Sequence, residues 1–106
     1  MHIDDSQQET LRTLLSERGR AVNEGLIAVQ ANKPQPPNSH VPTTIDPSLP
    51  ADARLKLFLQ LIHVRMKMIR EGNTAYGVCD ACKQPIAYAD LVYEPWLERH
   101  VGCEAQ

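Results

Sequence analysis

A chain of 106 residues with a formal net charge of -2 is one ordinary domain, or two very small units sharing a linker, and it offers no global attraction to nucleic acid or to an anionic membrane. Hydrophobic residues make up 42% of the chain and aromatic ones only 5%, so apolar burial has to come mostly from Leu, Ile, Val and Met. The polar, acidic start MHIDDSQQE resembles neither a secretory signal nor a transit peptide, and the longest strongly apolar stretch, LFLQLIHV, is far too short to span a bilayer. With three cysteines, too few for a disulfide framework, a cytoplasmic, reducing compartment is expected, with no membrane partner.

The first element is a helix over about residues 6–31. Ser6-Gln-Gln-Glu9 fits a capping box, in which hydroxyl and carboxylate each satisfy the other's free backbone N–H. Leu11, Leu15, Val22, Leu26 and Val29 recur at helical spacing as one apolar stripe, which Arg18 interrupts. Gly19 and Gly25 each weaken the helix by about 1 kcal/mol relative to Ala. Residues 32–48 follow as a proline-rich loop. With Leu49 and Pro50, this region carries six of the eight prolines, a density that no helix or sheet tolerates.

A second helix is expected over about residues 49–71. Ser48 is placed to cap it, Pro50 suits a first turn, and Asp52 favours the positive end of the helix dipole. Lys67 and Arg70 suit the negative end, and Gly72 stands where a left-handed terminating residue is wanted. Leu55, Leu59, Ile62, Met66 and Ile69 make one apolar stripe; Leu57, Leu61, Val64 and Met68 make a second. A helix apolar on two faces needs cover on two sides. The first helix covers one by folding back as an antiparallel hairpin; the C-terminal unit, or the same helix of a second copy in a homodimer, covers the other. The polar stripe contains Lys56, Gln60, His63, Lys67 and Arg70. Lys56, Lys67 and Arg70 are weak nucleic-acid candidates, and a solvated face is the plainer reading.

All three cysteines lie in the last third. Cys79-x-x-Cys82 and His100-x-x-Cys103 are separated by seventeen residues, Lys83 to Arg99. Zn²⁺ takes four N/S donors in a tetrahedron, and a Cys-x-x-Cys turn presents two sulfurs from one knuckle. The second pair closes the shell, leaving no open position, so Cys79, Cys82, His100 and Cys103 are expected to hold one structural zinc. A redox dithiol usually opens a helix in a βαβ unit, whereas a helix starting in DACKQP would break at Pro85. His2, His40 and His63 lack metal-ligand spacing and read as surface residues. Lys83 follows the second cysteine of the knuckle, where glycine is usual. Between the pairs, Leu91-Val92-Tyr93 is β-prone, and a short β-hairpin is expected.

Ile69, Arg70 and Gly72, then Tyr76-Gly77-x-Cys79-x-x-Cys82, Pro85-Ile86, Leu91, Pro95 and the terminal pair resemble the zinc finger of the DksA/TraR family of bacterial regulators. The match covers about a third of the chain. Family fingers usually carry four cysteines, and His100 stands at the third. The resemblance implies a zinc-stapled base carrying a helical hairpin that enters the secondary channel of RNA polymerase, with acidic residues at its tip altering transcription initiation. The family's tip motif is Asp-x-x-Asp-x-Ala; the nearest match here is DPSLPADA, which makes Asp46, Asp52 and Ala53 the candidate tip residues.

The expected fold is therefore mainly α: an antiparallel helical hairpin over residues 1–75 and a small C-terminal zinc finger over 76–106. The expected function is a non-enzymatic regulator of transcription that binds RNA polymerase. The alternatives are a zinc-stabilised protein-interaction module, homodimeric or not, and a DNA-binding protein. Nothing pairs a nucleophile with a base or offers a metal an open position, so no enzyme and no small-molecule substrate are expected.

Overall fold

The computed structural model describes residues 3–36, 39–42, 44–100 and Cys103. Three helices lie among them: α1, Asp5–Gln30, α2, Ala51–Arg70, and α3, Tyr88–Tyr93. The two long ones fall within two residues of the predicted spans, but their starts are built differently.

The box that caps α1 is Asp4 and Gln7, not Ser6 and Glu9. The Asp4 N–H donates to Gln7 Oε1 at 3.1 Å, and the Gln7 N–H donates to Asp4 Oδ1 at 2.7 Å. A carboxylate at the positive end of the helix dipole outcompetes a hydroxyl two residues on. Glu9 is thereby free to pair with Arg12 at 2.8 Å. Ser48 likewise does not cap α2. Its N–H and hydroxyl both donate to Asp46 Oδ1, at 2.9 and 2.7 Å, closing an Asx-type turn. The helix begins after Pro50, whose carbonyl accepts from the Arg54 N–H at 3.0 Å.

Both long helices stop in the same way. At α1, Lys33 N–H donates to Ala28 O at 2.8 Å and Asn32 N–H to Val29 O at 3.1 Å; at α2, Asn73 donates to Met68 O at 2.9 Å and Gly72 to Ile69 O at 3.1 Å. These are Schellman pairs, which require a left-handed residue. Asn32 supplies it with φ 56° and Gly72, as expected, with φ 68°.

By its contacts the chain forms two compact units, one of Met1–Leu15 with Arg65–Gln106 and one of Ser16–Val64. The boundary between them cuts through both long helices: the first turns of α1 and the last turns of α2 group with the C-terminal segment.

In the unit Ser16–Val64, Val22, Leu55, Phe58 and Ile62 are fully buried. Gly19 and Gly25, which weaken α1 in isolation, stand on its buried face and let its neighbours come close. A Cβ on Gly25 would lie 2.6 Å from Ser39 Cβ and one on Gly19 3.4 Å from Ile62 Cγ2. Ser39, from the proline-rich loop, is 1% exposed. Its hydroxyl donates to Pro36 O at 2.8 Å, so this part of the loop is packed against the helix rather than being a plain surface linker. On α2 the buried line runs Leu55, Phe58, Ile62 and Arg65, sharing Leu55 and Ile62 with the first predicted stripe and turning from the rest of it. Leu57 is 43% exposed and Val64 54%, so half of the second stripe remains uncovered.

In the other unit, Leu11, Leu15, Tyr76, Cys79, Ile86, Leu91 and Trp96 are buried. The expected β-hairpin is absent among the described residues. Leu91-Val92-Tyr93 forms the second half of α3, and β pairing is limited to one antiparallel bridge between Val78 and Pro85. The β propensity of three residues is too weak to decide against burial of Leu91. Leu91 packs beside Gly77 (φ 80°), where a Cβ would stand 3.5 Å from Leu91 Cδ1 and 2.7 Å from Ile3 Cδ1.

Candidate metal centre

The cysteine knuckle is built by backbone. Cys79 N–H donates to Gln84 O at 2.9 Å, Lys83 N–H to Cys79 O at 2.9 Å, and Ile86 N–H to Gly77 O at 2.8 Å. Closing so tight a turn takes one left-handed residue, and Lys83 provides it with φ 64°. A non-glycine residue in that conformation costs on the order of 1 kcal/mol, the strain implied by the missing glycine.

The second pair is carried in by residues 98–100. Asp80 N–H donates to Glu98 O at 2.9 Å, and the Arg99 guanidinium clamps the Asp80 carboxylate. That contact holds the Asp80 carboxyl below its usual range. Cys103 N–H donates to His100 O at 3.0 Å, which keeps His100 and Cys103 together.

The four donor atoms of Cys79, Cys82, His100 and Cys103 all lie within 4.8 Å of one another. The sulfurs of Cys79 and Cys103 are 3.6 Å apart, and Cys82 Sγ is 3.3 Å from His100 Nδ1. A tetrahedral metal with thiolates at about 2.3 Å demands sulfurs about 3.8 Å apart, so the residues fit a four-coordinate ion. His100 shows which nitrogen faces it. Nε2 lies 2.9 Å from Pro85 O, and a carbonyl only accepts, so Nε2 carries the proton. The neutral ring then turns a bare Nδ1 toward the sulfurs, the outer-shell arrangement typical of metal-bound histidine.

The electrostatics favour a thiolate at Cys79 and hold protons more tightly on Cys103 and His100. Burial opposes the Cys79 thiolate, but N–H groups of Cys82, His100 and Ala81 outweigh it and bring the thiol down to about 6. Cys103, donating to that sulfur and partly buried, is pushed up to about 11. The Pro85 carbonyl raises His100. The pair Cys79 and Cys103 therefore shares one proton near neutrality, and an entering cation displaces it. Cys79 is buried, His100 and Cys103 are half-buried, and Cys82 is exposed. Four protein donors converge, enough to fill the shell of one four-coordinate ion.

The other predicted site residues lie outside this cluster. Asp46 is exposed, and its carboxyl is held low by the Ser48 hydroxyl and N–H. Asp52 and Ala53 are half-buried in the first turn of α2. Lys56, Lys67 and Arg70 are exposed, and Lys67 lies 3.7 Å from Glu71, which offsets part of the basic character of that face. His40 and His63 are exposed, while His2 lies outside the described residues.

Two residues support the site in ways that the sequence pattern did not assign, although Tyr76 figures among the marks of the resemblance. Tyr76 is buried and donates its hydroxyl to Pro95 O at 2.8 Å, with burial raising its phenol. Arg65 is 9% exposed and lies 3.4 Å from Glu98. The signal for Arg65 was its place in the series 55, 58, 62, 65 on the buried face of α2.

Comparison with models of known protein families, with curated proteins and with solved structures found no match. No described helix is long and apolar enough to cross a membrane.

Proposed function

We propose that this chain is a non-enzymatic regulator of the DksA/TraR type, in which one structural zinc folds the C-terminal segment and a helical hairpin is presented to RNA polymerase. The observation that carries the reading is the convergence of Cys79, Cys82, His100 and Cys103 within 4.8 Å, at positions where the resembling family holds its metal. Zinc is the ion that three thiolates and an imidazole in a closed tetrahedron select. The partner rests on the resemblance of residues 69–103 alone. The acidic tip it requires falls to Asp46 and Asp52, with Ala53 beside them. The test is capture of purified RNA polymerase by the zinc-loaded chain. Capture is expected to weaken on Asp46→Ala and Asp52→Ala, and a zinc-loaded chain that leaves polymerase behind overturns the polymerase reading.

A second reading is favoured by the exposure of Leu57 and Val64, 43% and 54%, on one face of α2. There the chain is a zinc-stabilised module that uses this face for a protein partner or a second copy, without polymerase. A dimer in light scattering, dissociated by Leu57→Glu, together with no polymerase capture, decides for it.

A further inference from the structure

Arg65 is a buried cation that the metal chemistry does not use. It is 9% exposed, and its Nε is buried without a hydrogen-bond partner. Nη1 donates to the sulfur of Met68 at 3.4 Å, and Nη2 lies 3.4 Å from Glu98 Oε2. As a contribution to stability this is a poor arrangement. A buried guanidinium with an unsatisfied donor costs desolvation that a Leu or Met would not incur.

What the arrangement does achieve is a hold on one short segment. Glu98 accepts the Asp80 N–H through its backbone, its neighbour Arg99 clamps the Asp80 side chain, and His100 follows at once. Asp80 in turn sits inside the Cys79–Cys82 knuckle. Residues 98–100 are thus tied to the knuckle through Glu98 and Arg99 on Asp80 and through His100 on Cys82 and Pro85, and to α2 by the Arg65–Glu98 pair.

We propose that Arg65 is a positioning residue for the metal centre. By holding Glu98 it sets the approach of His100 and Cys103 to Cys79 and Cys82, and through the same contact the last turns of α2 respond to the metal. The coupling is reciprocal: whatever Arg65 contributes to metal affinity, the metal returns to the order of Arg65 and the turns beside it. This rests on the reading of the four ligands as a metal centre, and deepens it by naming what links that centre to the helix.

The test measures metal affinity by chelator competition, first with Co²⁺ and then Zn²⁺, on the full chain and on Arg65→Met, Glu98→Gln and the double variant. Each single variant is expected to lose about 10- to 100-fold in affinity, the range for outer-shell partners. The double variant should lose no more than the worse single one, because both remove the same tie. The Co²⁺ spectrum should stay that of a tetrahedral thiolate site in every variant, since all four ligands remain, and Arg65→Lys should recover part of the affinity. Hydrogen exchange gives a readout that a general loss of stability does not imitate. Metal loading should slow exchange at residues 66–72 in the parent chain and fail to do so in Arg65→Met, while it still slows exchange at residues 79–82.

Parent affinity in both single variants, or losses that add in the double, overturns the proposal while leaving the metal centre standing. A parent chain that takes up no Co²⁺ overturns the metal reading and the proposal with it. Should Arg65→Met fail to fold, Glu98→Gln decides, because Glu98 is 48% exposed in its side chain and its replacement leaves the core intact.

Discussion

The middle of the hairpin and the C-terminal segment reach order by opposite means. In Ser16–Val64 the helices bury Val22, Leu55, Phe58 and Ile62 completely, and two glycines bring the backbones and Ser39 close enough to leave little space. That is ordinary apolar packing. The described residues from Tyr76 to Cys103 include a few buried side chains, one β bridge and a six-residue helix. Its turns are held instead by backbone hydrogen bonds and by Asp80–Arg99, with four candidate ligands gathered around one point. Where a segment is too short to enclose an apolar core, directional bonds and a bound metal can supply the cohesion. The lesson is that stability here is divided by mechanism, and each part has its own point of failure.

The contrast breaks most sharply at the ligands. Cys79→Ala, or removal of metal by a strong chelator, should cost the C-terminal segment on the order of 10 kcal/mol of metal-linked stability. Trp96 fluorescence should shift to that of an exposed indole, while most of the far-UV helical signal persists; loss of both together would show that the segments do not fail separately. On the apolar side, Phe58→Ala should cost about 3–5 kcal/mol in chemical denaturation and leave the Co²⁺ spectrum of the folded protein unchanged.

The glycines sharpen the comparison at smaller scale. Gly25→Ala adds a methyl group where only 2.6 Å separates it from Ser39 Cβ, and should destabilise by about 1–3 kcal/mol despite its better helix propensity. Gly19→Ala meets Ile62 at 3.4 Å. There the propensity gain of up to about 1 kcal/mol is expected to dominate, so thermal midpoints of the two variants should move in opposite directions. The smallest effect belongs to the knuckle. Lys83→Gly relieves the left-handed strain at φ 64° and should strengthen the metal-loaded form by less than about 1 kcal/mol, read as slower metal loss to a chelator.

By itself the sequence determined the elements whose causes are local. Helical periodicity set both long helices, Gly72 set where α2 stops, and the spacing of Cys79, Cys82, His100 and Cys103 named four side chains whose donor atoms do converge. Each of these rests on chemistry within a few residues, or on a ligand number and spacing that a metal imposes. The tertiary structure decided the choices between near-equal local options. The helix α3 replaces the β-prone reading of 91–93 because burial of Leu91 beside Gly77 outweighs a weak propensity. It also rotated the buried face of α2 toward Phe58 and Arg65, turned two helix-weakening glycines into close contacts, and enlisted Arg65. Those outcomes depend on which surfaces meet, and a charge or a glycine reveals its role only when its neighbour from a distant part of the chain is in place.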